Sequence, residues 1–251
     1  MLETSEVVYY EVMMSRYKKP YIRKYGQRSS FQVRVVDGEF IRRNLDEEFN
    51  NFGQHYRFDF IPEDEFWIEK ESNHDESRFF IDHLMVEYNL MKKGVSYNKA
   101  LAAAEKVEKK ERHRASYMRN GKHKFPGLGR SRPDPMSVHE RLWKKLESGL
   151  RVYIVNGKKV RDHFDIEFTE GGHHEVYDYV PGGELWIDDA IQAQERPFIL
   201  LHEMHELKLM EKGVSYDKAH EECSSLEEYY RHHPKDLKSA LAAEERISMK
   251  D

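Results

Sequence analysis

The sequence lacks the features that mark secreted, membrane-spanning and strongly basic proteins. Its one cysteine, Cys223, excludes an internal disulfide framework and favours a reducing compartment. No apolar run approaches the roughly 18 residues of a membrane-spanning helix, and the N-terminus lacks the basic-then-apolar order of a signal peptide. The formal net charge of −5 gives no global attraction to nucleic acid or to an anionic membrane. We therefore expect a cytoplasmic protein that does not enter the membrane.

The chain contains one unit of sequence twice. When it is shifted by 119 residues, positions 33–113 align with 152–232 without a gap, and 31 of the 81 pairs are identical. Self-similarity of this kind indicates a duplicated structural unit. The chain has 251 residues, of which 39% are hydrophobic and 12% aromatic, so it is long and apolar enough for two such units with packed cores.

Each copy is predicted to be an α+β module, in which a small antiparallel sheet of hairpins precedes a helix hairpin. Asp37-Gly38 and Asn156-Gly157 predict tight turns between strands, because these dipeptides tolerate the positive φ of a type I′ turn. Further strand pairs are predicted at 56–61 with 66–69 and at 176–180 with 185–188. In module two a first-turn proline, a closing glycine and a capping serine predict two consecutive helices: Pro197, Gly213 and Ser215.

The repeat divides the chain into five segments. A basic and aromatic arm at 1–32 precedes module one at 33–113, which we expect to be degenerate as a functional site. Residues 114–150 are predicted to be a basic linker with a short helix that begins at the capping box Ser137 to Glu140. Module two follows at 151–233, and a tail helix is predicted at 234–251.

One predicted helix of module two carries histidines on its inward face. His202 and His205 share a stripe with Phe198 and Leu209, and the matching stripe of module one is mostly apolar, so we expect both to face the core. A buried polar group without a partner costs about 1 to 3 kcal/mol. These histidines therefore need partners.

Module two also has ionisable side chains where module one is apolar. Glu203 replaces Leu84, His205 replaces Val86 and His220 replaces Leu101. His202 and Glu206 are four residues apart on one helix face, and the next predicted helix can bring His220 to them. Two histidines and one carboxylate suit a zinc ion that keeps one open position, so these three are predicted metal ligands. His205 is the competing second nitrogen ligand, because spacing of three residues also permits it.

A segment of about 40 residues resembles small zincin metallopeptidases of the ImmA/IrrE type. The resemblance covers the strand at 184–189, an acidic stretch and the helix that begins at Glu195-Arg-Pro-Phe-Ile-Leu-Leu-His202-Glu203. In that family an HExxH helix supplies two histidine ligands and a glutamate base, which implies His202 as a ligand and Glu203 as the catalytic base. This chain departs from the motif, since Glu206 stands where the second histidine would fall. His220 is the residue that can restore the number of ligands.

A purely structural interpretation competes with the metal site. Histidine and glutamate four residues apart often pair with each other, and module one keeps such a pair in His83 and Glu87. His55 and His174 are also shared by the modules, so a His/His/Glu triad common to both can be structural. His174 is an additional candidate ligand of module two, whereas His55, His83 and Glu87 are predicted to be vestigial.

Basic and aromatic residues alternate in two flanking segments, 16–28 and 114–132. Arginine and lysine beside aromatic rings suit phosphate backbones and unpaired bases, although such runs are usually solvated faces. Two functions follow as expectations. The first is a zincin-like, metal-dependent hydrolase, a peptidase that acts on a protein or peptide. The second is a non-catalytic interaction or scaffold protein of viral, phage or mobile-element type, whose basic arm binds a partner.

Overall fold

The fold is given by a computed structural model that describes residues 20–72, 76–119 and 133–246. The described chain forms two compact units. Residues 20–72 and 77–104 belong to the first, and Glu76, 105–119 and 133–246 belong to the second. None of the helices in these ranges is both long and apolar enough to cross a membrane.

The first unit contains a four-stranded mixed sheet in the order β1-β2-β4-β3. Its strands are β1 (Tyr21–Arg28), β2 (Phe31–Val36), β3 (Phe52–Gln54) and β4 (Glu65–Glu69). The helices that begin in it are α1 (Gly38–Asn44), α2 (Ser77–Met91) and α3 (Tyr97–Arg119), the last of which extends into the second unit.

The second unit repeats this topology with the strand order β5-β6-β8-β7. Its strands are β5 (His139–Lys145), β6 (Arg151–Val155), β7 (Gly171–His173) and β8 (Glu184–Asp188). Its helices are α4 (Gly157–His163), α5 (Arg196–Glu211), α6 (Tyr216–His232) and α7 (Leu237–Arg246). The predicted α+β class and the tandem repetition are confirmed, and α7 lies where a tail helix was predicted.

The prediction of antiparallel sheets was wrong in one respect. Strands β2 and β4 are parallel, as are β6 and β8, so each sheet is mixed. The reason lies at the two Xaa-Gly dipeptides. Asp37 accepts a hydrogen bond from the backbone N–H of Phe40, and Asn156 accepts one from Lys159, so each side chain caps a short helix rather than forming a hairpin turn. The helix leads to the edge strand β3 or β7, and the strand after that, β4 or β8, lies parallel to β2 or β6.

Of the further predicted strands, those at 66–69 and 185–188 are confirmed as β4 and β8, whereas their predicted partners are not strands. Residues 56–61 and 176–180 form turns, and the edge strands β3 and β7 precede them. The predicted helix over 137–149 was also wrong. A 3₁₀ turn at Pro135–Val138 leads into β5, which pairs with β6. Asp134 caps this single turn by accepting a hydrogen bond from the backbone N–H of Met136.

The core of the second unit lies between the sheet and α5. Buried apolar residues of β6 and β8 face those of α5, including Ile154, Ile187 and Leu200. Helices α5 and α6 form the predicted helix hairpin, with a positive φ at Gly213 between them. Because α5 is buried on most of its circumference, ionisable residues on it are removed from water.

A network of buried ion pairs also lies in the second unit. Arg161 binds Glu76 through two hydrogen bonds of 2.9 and 2.8 Å and donates to Asp188 at 2.6 Å. Arg112 donates to Glu76 at 2.6 Å. Burial favours the neutral acid, but the bonds and charges of the two arginines outweigh it and lower the pKa of Glu76 below its ordinary value. Glu76 is therefore an ionised, fully paired carboxylate.

Substitution Glu76→Gln is expected to lower the free energy of unfolding by about 3 to 5 kcal/mol at pH 7, because two buried arginine charges lose their shared carboxylate. Since the folded pKa is depressed, this stabilisation is fully present above the unfolded value of 4.5 and declines as the pH falls through the folded pKa. Chemical denaturation should thus show that the difference in the free energy of unfolding between wild-type protein and Glu76→Gln becomes smaller in acid. Glu147→Gln, at an exposed position, is the control. A difference that is constant from pH 7 into strong acid would contradict this account.

Candidate metal centre

Three elements of the second unit bring the ionisable cluster together. Helix α5 supplies His202, Glu203 and Glu206, helix α6 supplies His220, and strand β7 supplies His173. The spacing of α5 directs its three side chains toward β7 and α6, since residues three and four apart share a helix face. All three are at most 9% exposed, and His173 is fully buried.

His202, Glu206 and His220 meet at one point, as predicted. His220 Nδ1 lies 3.0 Å from Glu206 Oε1 and 3.3 Å from His202 Nε2. His202 Nε2 is 3.6 Å from the same carboxylate oxygen. One ligand atom from each residue falls within 4.8 Å of the others. The side chain of His220 is 36% exposed, so the cluster is open on that side.

His202 is held by a second carboxylate behind it. Its Nδ1 lies 3.0 Å from Glu227 Oε2, and Arg231 donates to the other oxygen of Glu227 at 2.9 and 2.6 Å. A histidine whose one nitrogen is fixed by a carboxylate presents the other in a set direction, as metal-ligating histidines do. Burial opposes the charge on His202, but its bonds with Glu206 and Glu227 outweigh burial and raise its pKa well above the ordinary value.

His173 belongs to the cluster and was missed by the sequence interpretation. Its Nε2 lies 3.1 Å from Glu206 Oε2, and a ligand atom of Glu203 lies within 4.8 Å of both. The repeat held the signal, because His173 replaces Gln54 of module one. His174, the predicted additional ligand, is shared by both modules, and its Nε2 lies 3.6 Å from Glu175 Oε1.

The two carboxylates of the cluster differ in their electrostatic state. Burial works against the charge of Glu206, but hydrogen bonds from three histidines outweigh it and hold its pKa far below the ordinary value. For Glu203, burial and then the charge of Glu206 outweigh the opposing charges of the histidines and raise its pKa to about 7. Glu203 Oε2 is buried and has no hydrogen-bond partner among the described residues.

Small and polar residues accommodate Glu203. A Cβ at Gly171 would lie 3.0 Å from Glu203 Oε1, whereas module one has Phe52 there, whose ring lies 5.0 Å from that of His83. Tyr177 replaces Phe58, and burial and then the charge of Glu203 raise the pKa of its phenol. The exchange of phenylalanine for glycine therefore gives the carboxylate its space.

His205 lies on another face of α5. Its Nδ1 is 3.2 Å from Glu244 Oε1 on α7, and its Nε2 is 3.4 Å from Glu222 Oε1 on α6. Lys208 bonds the same Glu244. The structure thus gives His205 carboxylate partners that join α5 to α7, away from the point where His202 and His220 meet.

Module one keeps the histidine and glutamate pair but not the surrounding ligands. His83 Nε2 lies 3.5 Å from Glu87 Oε2, and Gln54 donates to Glu87 Oε1 at 2.6 Å. His55 contacts the carbonyl oxygen of Ile61 at 2.8 Å. Within the described ranges, both sets of side chains that fit a metal ion lie in module two.

The basic segments lie only partly within the described residues. Of the segment 16–28, residues 20–28 are described and mainly form the exposed edge strand β1. Of the segment 114–132, residues 114–119 end helix α3, and 120–132 lie outside the described ranges. Arg23 lies over the ring of Tyr25 at 5.9 Å, which leaves a basic and aromatic strip on β1.

Comparison with known proteins adds no relative to this geometry. No family model matches the sequence, and neither the curated proteins nor the solved structures gave a significant match.

Proposed function

We propose that module two is a zinc-dependent peptidase, with His202, Glu206 and His220 as metal ligands and Glu203 as the catalytic base. The observation that carries the proposal is the orphaned oxygen of Glu203. It is buried in a group with His173 and Glu206, the second of which also belongs to the group of His202 and His220, and no described residue bonds it. A buried polar atom of this kind calls for a ligand, since leaving it without a partner is costly.

The donor set fits zinc, for which two imidazole nitrogens and one carboxylate are common catalytic ligands. Zinc supplies Lewis acidity that lowers the pKa of a bound water. Glu206 contributes the anionic ligand. His202 is aligned by Glu227 at 3.0 Å, so its Nε2 is directed at His220 and Glu206, with which it would hold the ion.

Glu203 is suited to accept a proton because it is a buried carboxylate beside Glu206, and burial and the charge of Glu206 raise its pKa above the ordinary value in the metal-free protein. In amide hydrolysis the water oxygen adds to the carbonyl carbon and the C–N bond breaks. Glu203 takes one proton from the water and passes it to the leaving nitrogen, so the carboxylate is regenerated. This assignment makes Glu203 the residue on which the rate depends.

The substrate would approach from the side of His220, the most exposed member of the cluster. The ring of Tyr216 stacks on His220 at a centroid distance of 5.3 Å, and Tyr216 is 43% exposed. An exposed aromatic ring beside the open ligand position can pack against an apolar side chain or peptide plane of a substrate. This favours a peptide over a small hydrophilic molecule.

The test is zinc-dependent hydrolysis by the full chain. Protein stripped with chelator and then supplied with zinc should bind the ion through the cluster, unfold at a higher temperature and cleave a mixture of internally quenched peptides. Removal of zinc by chelator should abolish cleavage, and its return should restore it. Zinc binding without any cleavage would contradict the hydrolase, and failure to bind zinc would contradict the centre itself.

A second candidate is a partner-binding protein, and β1 is the observation that favours it. Ile22 and Tyr25 are 49% and 40% exposed on an edge strand that also carries Arg23 and Lys24. Such a strip suits a nucleic-acid strand or an acidic protein. A chain that cleaves no peptide yet binds such a partner through β1 would support this alternative.

Both candidates assume a reducing compartment such as the cytoplasm, in which buried, free Cys223 stays a thiol.

A further inference from the structure

The two oxygens of Glu206 face two different groups of side chains. Oε1 is directed at His220 and His202, at 3.0 and 3.6 Å. Oε2 is directed at His173, whose Nε2 lies 3.1 Å away. Glu206 therefore lies between the nitrogens of His202 and His220 on one side and the nitrogen of His173 on the other. A carboxylate that bridges two metal ions has the same arrangement.

The group around Oε2 has its own full set of donors. Ligand atoms of His173, Glu203 and Glu206 lie within 4.8 Å of one another, and all three residues are buried. Glu203 is 8% exposed, and its Oε2 has no hydrogen-bond partner in the described part of the chain. This unpartnered oxygen is an observation independent of the number of acidic groups, and it points to a missing ligand of positive charge.

We propose that a second divalent transition-metal ion binds between His173 Nε2, Glu203 and Glu206 Oε2, with Glu206 bridging it to the ion held by His202 and His220. This proposal deepens the proposed function and rests on it. Two ions that share a carboxylate usually lie about 3.5 to 4 Å apart and can hold one water or hydroxide between them.

The charges of the cluster favour two cations. Glu203 and Glu206 are neighbouring buried carboxylates, and like charges at such distances repel strongly in a medium of low dielectric constant. A cation between them turns this repulsion into two attractive contacts. Histidine and carboxylate donors together suit zinc, manganese and iron better than calcium or magnesium, which prefer oxygen ligands.

The internal repeat supports the second position independently. Module one keeps the pair His83 and Glu87, but it has Gln54, Leu84 and Phe52 where module two has His173, Glu203 and Gly171. Both added donors and the glycine that makes space for Glu203 belong to the second position. Their joint presence in one copy is expected if they serve a single ligand.

With both ions bound, Glu203 is a ligand as well as a neighbour of the water. Glu203 then accepts a proton only in protein that holds the first ion alone. When two ions are bound, both would lower the pKa of the water, as in two-metal hydrolases. Loss of the second ion should therefore reduce the rate of hydrolysis without removing the first ion.

The test is zinc stoichiometry measured by elemental analysis after metal-free protein is equilibrated with zinc and passed through a desalting column. Wild-type protein should retain two ions per chain. His173→Gln installs the residue of module one at Gln54 and should retain one. His174→Gln is the matched control, since it makes the same change one residue further and should leave two.

Glu203→Leu is the second variant, because module one folds with Leu84 at this position, and it should also retain one ion. One ion in wild-type protein that is still present in both variants would overturn the second position and leave the proposed function intact. One ion that is lost with His173→Gln would equally overturn a two-ion centre. No zinc in wild-type protein would overturn the proposed function itself.

Discussion

In protein loaded with one zinc ion per chain, Glu203→Gln should lower kcat for peptide hydrolysis by about 10² to 10⁴-fold, the range expected when a general base is removed. The amide has nearly the shape of the carboxylate but cannot accept a proton from water. Glu203 is buried and is no ligand of the first ion, so zinc bound by His202, Glu206 and His220 should remain. The fold should remain as well, because the lost charge is one that burial disfavours.

Two measurements separate this result from a general loss of structure. Elemental analysis should still find zinc in the variant, and its unfolding temperature should stay near or above that of wild-type protein without metal. Glu211→Gln makes the same substitution at an exposed position of α5 and should keep full activity. A Glu203→Gln enzyme with an unchanged kcat would remove Glu203 from the reaction.

His202→Ala should abolish zinc binding at the first position and with it all hydrolysis. His202 supplies one of two nitrogen ligands, and the remaining His220 and Glu206 form an incomplete site. The variant should also be less stable without metal by about 1 to 3 kcal/mol, because Glu227 and Glu206 lose a buried hydrogen-bond partner. Its gain in stability on addition of zinc should be smaller than that of wild-type protein, because only the second position is left; each ion bound at a hundredfold excess over Kd contributes about 2.7 kcal/mol.

Two controls make the result specific. His205→Ala alters the same helix three residues away, and its partners are Glu244 and Glu222, so it should keep zinc and activity while weakening the attachment of α7. His83→Ala removes the matching histidine of module one and should leave zinc binding unchanged. Stabilisation by zinc that is as large in His202→Ala as in wild-type protein would show that His202 is not a ligand.

The sequence by itself determined the duplication, the α+β class and the first group of candidate ligands. Thirty-one identities in 81 gap-free pairs reveal two copies of one topology before any coordinates exist. Residues four apart on a helix must share a face, and a helix hairpin must bring one helix against the next. His202, Glu206 and His220 could be predicted to meet for these local reasons.

Only the tertiary structure decided what depends on contacts distant in sequence. His173 lies on β7, 33 residues from Glu206, so only the tertiary structure brings the two side chains together. His205 shares the inward stripe of α5, but the position of α7 gives it Glu244 as a partner. Asp37-Gly38 and Asn156-Gly157 suit both a hairpin turn and a helix cap, and in the structure each first residue caps a short helix, so neither dipeptide joins two paired strands. Register, neighbours and the sharing of Glu206 are set by packing, because many arrangements satisfy the same local pattern.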